Sequence, residues 1–285
     1  MQMKITCFFF FVLLQTVIYG QVVSETFMST RVINGHSVET LKKRYFEYRI
    51  EHRFGDFAGS GGGATQGFGF DNAADIRFAF EYGLNDRLMI GLGRNKGSTN
   101  AYRNVLDGFV KYRLMQQEEK GKPISMTVVA SSLYCYNKAT SDLQSILSFP
   151  KFSHRFAYTV QLNIARKLTQ RISLAVMPTY VHRNYVAYTD LNDLLAIGAG
   201  INFKLSKTWG LMAEYYQALH NDDVRTQYTS SFAIGTEWCT NGHNFHFGLS
   251  NSGLFNEAQF ITYTTEKWSK GQYRIGFSIT RNFKR

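Results

Sequence analysis

The sequence predicts a single all-β domain: an up-and-down, antiparallel transmembrane β-barrel of the outer-membrane type with about twelve strands. Segments that alternate apolar and polar residues recur about a dozen times along the chain, and a period of two belongs to strands. The connections alternate between tight turns and long loops, as such barrels require. Aromatic residues make up 15% of the chain and fall near both ends of these segments, as in membrane girdles.

The clearest strand is predicted at 44–54, where Phe46, Tyr48 and Ile50 alternate with Glu47 and Arg49. The following strands are predicted within 74–82, 88–93, 106–114, 124–136, 155–164, 172–180, 195–205, 209–215, 232–238, 245–249 and 273–279. Pairs such as Asn85-Asp86 and Asn241-Gly242 mark the tight turns between them. Pro178 lacks a backbone donor, so we expect a bulge or weakened pairing there.

Two segments precede the barrel, which is predicted to span 44–285. Residues 1–20 form a predicted signal peptide, with Lys4 before the apolar stretch 5–14 and a small residue, Gly20, at its exit. Residues 21–43 are polar and lack alternation, so they are predicted to be a periplasmic lead-in. The two remaining cysteines are predicted at opposite rims of the barrel, because Cys135 ends a strand that runs outward and Cys239 ends one that runs inward. They are then too far apart for a disulfide, which predicts two free thiols.

The formal net charge of +11 indicates anionic partners, namely outer-membrane lipids with lipopolysaccharide, and small anionic or polar solutes. The basic residues are spread along strands without a nucleic-acid-binding motif, so nucleic acid is not an expected partner. No cofactor is predicted, and nothing indicates an oligomeric state.

Catalytic and metal sites are not predicted either. His243 and His246 are three residues apart, which places them on opposite faces of a strand. A lipid hydrolase embedded in the barrel could pair His182 with Ser173 or Ser153, but there is no nucleophile elbow, and an enzyme is not expected. Four loop acids lack calcium-loop spacing and are interpreted as solvated: Asp190, Asp193, Asp222 and Asp223.

Charged residues on the inward parity of the strands are the candidate lumen-lining set: Glu47, Arg49, Glu51, Arg53, Asp75, Arg77, Glu81, Asp107, Lys111, Arg113, Arg155, Arg183, Glu214, Glu237 and Arg274. They could fill a narrow barrel as an ion-pair network, or line a passive porin-like pore with a slight preference for anions. The alternative function is a non-conducting structural or partner-binding barrel that acts through its external loops.

Several short runs carry a resemblance to a known family: RVINGHSVE from Arg31, HRFG from His52, EYGLNDRL from Glu81, DGFVKYRL from Asp107, IARKL from Ile164, PTYVHRN from Pro178 and AEYY from Ala213. Over nearly the whole mature chain, the sequence resembles an uncharacterised Bacteroidetes family of outer-membrane β-barrels, a domain of unknown function. The resemblance implies an outer-membrane location and no assigned site residues. One departure is that Phe283 is followed by Lys284 and Arg285 instead of ending the chain.

Overall fold

The structure, a computed structural model, describes residues 22–23, 25–72, 75–97, 102–220 and 224–284; the predicted signal peptide lies outside these ranges. Twelve antiparallel strands form a closed barrel in which β1 also pairs with β12. They are β1 (Tyr45–Asp56), β2 (Asp75–Gly83), β3 (Leu88–Lys96), β4 (Asn104–Met115), β5 (Ser125–Cys135), β6 (Phe156–Lys167), β7 (Ile172–Arg183), β8 (Asp193–Lys204), β9 (Trp209–Leu219), β10 (Ser231–Cys239), β11 (His243–Ser250) and β12 (Arg274–Lys284). The predicted fold class and strand number are confirmed.

In the described ranges, helical structure is confined to the connections between strands. It consists of one short α-helix, α1 (Glu257–Phe260), and three 3₁₀ turns, Ala64–Gly69, Phe152–Arg155 and Trp268–Lys270. The helix α1 begins where the Asn256 side chain accepts a hydrogen bond of 2.9 Å from the backbone N–H of Ala258. Within the described residues, no helix is long and apolar enough to cross a membrane.

The two ends of the barrel differ in the length of their connections. At one end, called here the tight-turn end, the strands are joined by 84–87, 116–124, 168–171, 205–208 and 240–242. At the other, the long-loop end, the connections are 57–74, 97–103, 136–155, 184–192, 220–230 and 251–273. This parity is the one expected when short turns face the periplasm and long loops face outward.

Burial alternates along every strand as the period-two pattern predicts. On β1, Glu47 and Arg49 are buried inside the barrel, whereas Tyr48 and Ile50 lie on the outer face and are partly exposed. At Pro178, the β6–β7 ladder pairs Gln161 with Thr179 and resumes at Ile164 with Val176, in an unchanged register. The missing donor therefore weakens the pairing locally, as expected, without forming a bulge.

The residues that precede β1 do not lie where the sequence predicts, which is in a periplasmic lead-in outside the barrel. Residues Thr26–Val38, called here the lumen hairpin, are almost entirely buried and fold back at Val32, whose N–H donates to the carbonyl of Gly35 at 2.9 Å. Their backbone contacts inward side chains of separate strands. Thr127 of β5 donates to the Val38 carbonyl at 2.9 Å, and Glu214 of β9 accepts from the hairpin tip. The hairpin therefore lies inside the barrel.

A second segment enters from the other end. Residues Asn251–Thr264, called here the lumen loop, precede β12 and are buried throughout, including α1. The lumen hairpin enters from the tight-turn end, where Val23 donates to the Gln117 carbonyl at 2.8 Å. The interior of the barrel is thus occupied by chain from both ends.

The cysteines provide the first prediction. Cys135 ends β5 at the long-loop end, Cys239 ends β10 at the tight-turn end, and both are free thiols. Maleimide-reagent mass tagging of the denatured, unreduced mature protein should add two tags per chain, because the two thiols lie too far apart for a disulfide. If tags appeared only after reduction of a monomeric protein, the strand directions between these residues would be wrong.

Candidate functional site

One side of the inner wall, formed by four of the twelve strands, β1 to β4, is built around ion pairs. Arg77 lies between two carboxylates, 2.5 Å from Glu51 and 2.6 Å from Asp107. Arg49 lies 2.7 Å from Glu47 and 3.6 Å from Glu81. All of these side chains are nearly completely buried. Because a buried charge is costly unless it is paired and hydrogen-bonded, each arginine and its two acids form one unit.

The same wall binds the lumen hairpin. The Lys111 ammonium donates to the Thr30 carbonyl at 3.0 Å, and Arg49 donates to the Thr30 hydroxyl at 2.8 Å. Closer to the long-loop end, Arg53 donates to the side-chain carbonyl of Asn34 at 2.5 Å. Side chains of the charged wall therefore donate hydrogen bonds to the hairpin.

The tip of the hairpin is held by a single carboxylate on β9. Glu214 accepts backbone hydrogen bonds from Ile33 at 3.0 Å, Asn34 at 2.8 Å and Gly35 at 3.2 Å. The hairpin tip also lies close to Tyr216. Glycine fits at position 35 because a β-carbon there would lie 1.9 Å from the hydroxyl oxygen of Tyr216. Charge-assisted hydrogen bonds of this kind are about twice as strong as neutral ones.

The wall from β5 to β9 carries few charges on its inner face and combines apolar side chains with uncharged polar ones such as Thr127 and Gln161. Its buried apolar side chains form a cluster that includes Leu133, Ala175, Met177, Val181, Leu194, Ala196 and Met212. The apolar residues Phe27, Val32, Ile33 and Val38 of the hairpin join this cluster. The hairpin therefore packs its apolar side chains against this wall, which also hydrogen-bonds to its backbone through Thr127 and Glu214. Thr30 and Asn34 accept hydrogen bonds from the ion-paired wall.

The hairpin and the lumen loop meet inside the barrel. Glu257 of α1 lies 3.6 Å from the Arg31 guanidinium and 3.9 Å from the His36 imidazole. Burial raises the pKa of Glu257 above its ordinary value, and the nearby Arg31 opposes that shift. Phe260 packs edge-on against Tyr216, with ring centroids 5.1 Å apart. The two segments therefore close the lumen as one packed unit.

Little free space remains between these elements. A cavity of about 20 Å³ lies between Ile33, Arg53 and His246, and another of about 10 Å³ lies beside Asp75 and Asn95. Each holds about one water molecule at most. At these two places the packed segments leave no room for a solute larger than water.

Thirteen of the fifteen candidate lumen residues are buried in the structure, and the other two, Arg113 and Arg155, are partly exposed. Arg113 lies at the tight-turn end, 3.6 Å from Glu39. Arg155 is not on β6 as expected, because a 3₁₀ turn at Phe152–Arg155 precedes that strand. It donates instead to the carbonyls of Cys135 and Asn137, at 3.0 and 2.7 Å.

The remaining inward charges pair close to the ends of their strands. Arg274 lies 3.5 Å from Asp75 and 2.5 Å from Glu266. Glu237 lies 3.4 Å from His246 and also accepts from Asn202.

The loop acids correct one sequence-based interpretation. Asp190 is not solvated: Arg183 binds it at 2.8 Å, Arg225 binds it from the next loop, and its side chain is only 1% exposed. Asp193 is exposed and hydrogen-bonds to Tyr180 and His182. Asp222 and Asp223 lie outside the described residues.

His182 does not hydrogen-bond to either of its candidate serines. His182 contacts Asp193 at 2.7 Å through Nδ1 and Asn184 at 2.9 Å through Nε2, so both ring nitrogens are engaged. Ser173 is buried at the opposite end of β7, paired with Asn202, and the Ser153 carbonyl accepts from Asn184.

His243 and His246 lie on opposite faces of β11, as the sequence predicts. His246 is buried near Glu237, whereas His243 faces Arg281 on the outside. In the part of the chain that the structure describes, no group of three His, Cys, Asp or Glu side chains could hold a metal ion.

Comparisons with known proteins agree with this architecture. A family model described as "Membrane bound beta barrel domain (DUF5777)" matches residues 27–283, and no curated protein matches the chain. The KdgM porin superposes with a TM-score of 0.51 at 9% identity, covering 84% of this chain and 99% of that one. A structure of that porin "in complex with disordered oligogalacturonate" gives the same TM-score at 10% identity, covering 84% and 99% of the two chains.

A further solved structure, the NanC porin, gives a TM-score of 0.48 at 9% identity and covers 84% of this chain and all of that one. At these identities the likeness concerns the fold. Together with the family match, the fold shared with the KdgM porin confirms the predicted membrane β-barrel of the outer-membrane type, and with it the outer-membrane location.

The ion-pair wall yields a stability prediction. Replacing Arg77 by alanine leaves Glu51 and Asp107 buried without their cation, which should lower the free energy of unfolding by about 3 to 5 kcal/mol. Urea unfolding of the refolded barrel in detergent, followed by its heat-dependent gel mobility, measures this change. The matched control is Arg281→Ala, an exposed outer-face arginine, for which we expect a change within about 0.5 kcal/mol. Equal midpoints for the two variants would contradict the assigned role of Arg77.

The carboxylate at the hairpin tip yields a second prediction. Glu214→Gln removes the charge that binds three hairpin amides, which is worth about 1.5 to 3 kcal/mol for a hydrogen bond to a charged group. Hydrogen exchange at residues 33–35 should therefore accelerate roughly ten- to a hundredfold, while exchange in the strands stays unchanged.

The control for this experiment is Glu266→Gln, which removes a carboxylate bound to Arg274 at the long-loop end. Unchanged exchange at the hairpin tip, or equal acceleration in both variants, would show that Glu214 does not hold the hairpin.

Proposed function

Since the chain belongs to the family of membrane-bound β-barrel domains, we propose that it is a passive, non-enzymatic outer-membrane pore for small polar or anionic solutes. In the conformation described here the pore is closed by the lumen hairpin and the lumen loop. Conduction then requires that one or both segments leave the lumen.

The observation that carries this proposal is that the barrel closes without help from the hairpin. The ladder between β1 and β12 runs from Tyr45 opposite Lys284 to Asp56 opposite Arg274. The hairpin residues 26–38 add no strand to the barrel sheet, and the bridge between Val22 and Glu118 lies outside the lumen at the tight-turn end. Departure of the hairpin would therefore leave every strand pair intact.

After the hairpin leaves, the ion-paired wall of β1 to β4 suits water and polar solutes. Without Arg155, which lies in a loop, the candidate set contains seven acids and seven bases. A balanced wall admits polar solutes of either sign, so the slight anion preference predicted from the sequence has to come from local charges such as Lys111 and Arg53. The complex of a porin of the same fold with oligogalacturonate supports small solutes as ligands.

The remaining parts of the proposal come from the sequence. Export through a signal peptide at residues 1–20, a lipid environment that includes lipopolysaccharide, and a Bacteroidetes origin are supported by the leader pattern, the basic net charge and the family resemblance respectively. Absence of enzymatic activity is supported by the engaged nitrogens of His182 and the burial of Ser173.

Bilayer conductance of refolded variants tests the pore. The series removes residues 26–38, shortens the lumen loop at 252–264, and combines the two changes, with short Gly-Ser linkers. We expect conductance to increase along the series, because each segment blocks a different half of the lumen. A matched control shortens the glycine-rich connection at 59–67, which lies outside the barrel, and should conduct like the native protein. Silence of the double variant as a folded barrel would refute the pore.

A reversible lock tests whether the hairpin itself has to move. The native Cys239 sulfur lies 4.0 Å from the Met28 carbonyl, so Met28→Cys in a Cys135→Ser background puts a second thiol on the hairpin residue that Cys239 contacts. Oxidation should abolish any openings of the hairpin-containing protein, and reduction should restore them. The control carries the additional change Cys239→Ser and should not respond to redox conditions. Openings that persist in the oxidised protein would show that the hairpin stays in place during conduction.

A further inference from the structure

The outer face of the barrel carries few charges in its long-loop half. Among the outward positions of the described strands there, Arg94 and Lys96 are the only arginine or lysine residues, and they occupy the last two outward positions of β3. The preceding outward residue, Leu92, is 70% exposed, so this face of β3 contacts the surrounding medium directly. The pair therefore interrupts an otherwise apolar and aromatic surface.

The two cations have no acidic partner among the described residues. The Arg94 guanidinium lies over the Tyr136 ring, 5.8 Å from its centroid. Across the ladders, Arg94 faces Phe78 and Leu106, and Lys96 faces Ile76 and Asn104. By contrast, the inward arginines of β1 and β2 that flank this region are bound by carboxylates or by the hairpin. Like charges two residues apart on one face are about 7 Å apart and repel unless an anion lies between them.

The position along the strand sets the depth of the pair in the membrane. From Leu88, at the tight-turn end of β3, to Lys96 is about 27 Å of strand, or about 21 Å along the barrel axis at a tilt of ~40°. The apolar band of such barrels is ~25 Å tall. Measured from Leu88, Arg94 lies about 16 Å and Lys96 about 21 Å up this band. Their long side chains therefore have to extend about 4 to 9 Å toward the long loops to meet the headgroups of the outer leaflet.

We propose that Arg94 and Lys96, with Tyr136 as a packing surface for Arg94, bind the phosphate groups of lipopolysaccharide in the outer leaflet. A phosphate between the two side chains would neutralise both cations, and the guanidinium of Arg94 suits phosphate oxygens geometrically. The adjacent Leu92, Leu106 and Phe78 offer an apolar surface to the acyl chains. This proposal rests on the proposed outer-membrane setting, with the long loops outward, and does not depend on conduction.

Binding of defined lipids to the full mature barrel in detergent tests the site. The native protein is titrated with lipopolysaccharide, with enzymatically dephosphorylated lipopolysaccharide and with phosphatidylglycerol, and bound lipid is counted by native mass spectrometry. We expect tight binding of the phosphorylated form only. The double variant Arg94→Gln, Lys96→Gln should bind it roughly thirtyfold more weakly, since each basic residue near an anionic lipid surface contributes about a factor of five.

The matched control is Arg281→Gln, an outward arginine at the tight-turn end, which should bind lipopolysaccharide like the native protein. Equal binding by the native protein and the double variant, or by the phosphorylated and dephosphorylated lipids, would overturn the proposal. Equal binding of phosphatidylglycerol would assign the site to phospholipid headgroups instead and overturn the choice of lipopolysaccharide. The lipid series on the native protein decides the matter even if the double variant fails to fold. A silent pore with intact lipid binding would refute the proposed function alone.

Discussion

Every charge that points into a closed and filled barrel needs a partner there, and this constraint governs the interior. β1 meets it by alternating acids and bases on one face, so that Glu47, Arg49, Glu51 and Arg53 lie in sequence along the wall. Glu51 reaches Arg77 on the neighbouring strand, while Arg53 reaches Asn34 of the hairpin. The pairing of buried charges thus ties the strands to each other and to the segment between them.

The lumen has two chemically different walls, and the hairpin matches both. Its apolar residues Val32 and Ile33 pack with the cluster that contains Met177 and Met212. Its backbone amides at the tip are satisfied by Glu214. The hairpin fits the lumen in one orientation, because rotation would remove its three amides from Glu214 and leave that buried carboxylate without hydrogen-bond donors from the hairpin. The fit is therefore specific although the hairpin adds no strand to the barrel.

The sequence was sufficient to predict the barrel because period two reports which side chains face inward. It predicted the number of strands, the parity of the loops and the weak pairing at Pro178. Periodicity does not report whether the interior holds water or chain, and the hairpin itself has no alternation. Its partners are also distant, since Ile33 and Glu214 are 181 residues apart. One signal was available: Leu133, Met177 and Met212 have inward parity, and a water-filled lumen would not place them there. Arg155 was misplaced because a 3₁₀ turn shifts the start of β6.

The two interior segments are attached to the two strands that close the barrel. The lumen hairpin leads into β1 through residues 39–44, and the lumen loop leads into β12 through residues 265–273. In an up-and-down barrel, β1 and β12 are the strands whose pairing joins the two ends of the sheet. Closure of the barrel and packing of its interior are therefore coupled. When the first and last strands pair, Arg31 of the hairpin and Glu257 of the lumen loop are brought into contact. A sheet that has not yet closed would present both segments on its open edges.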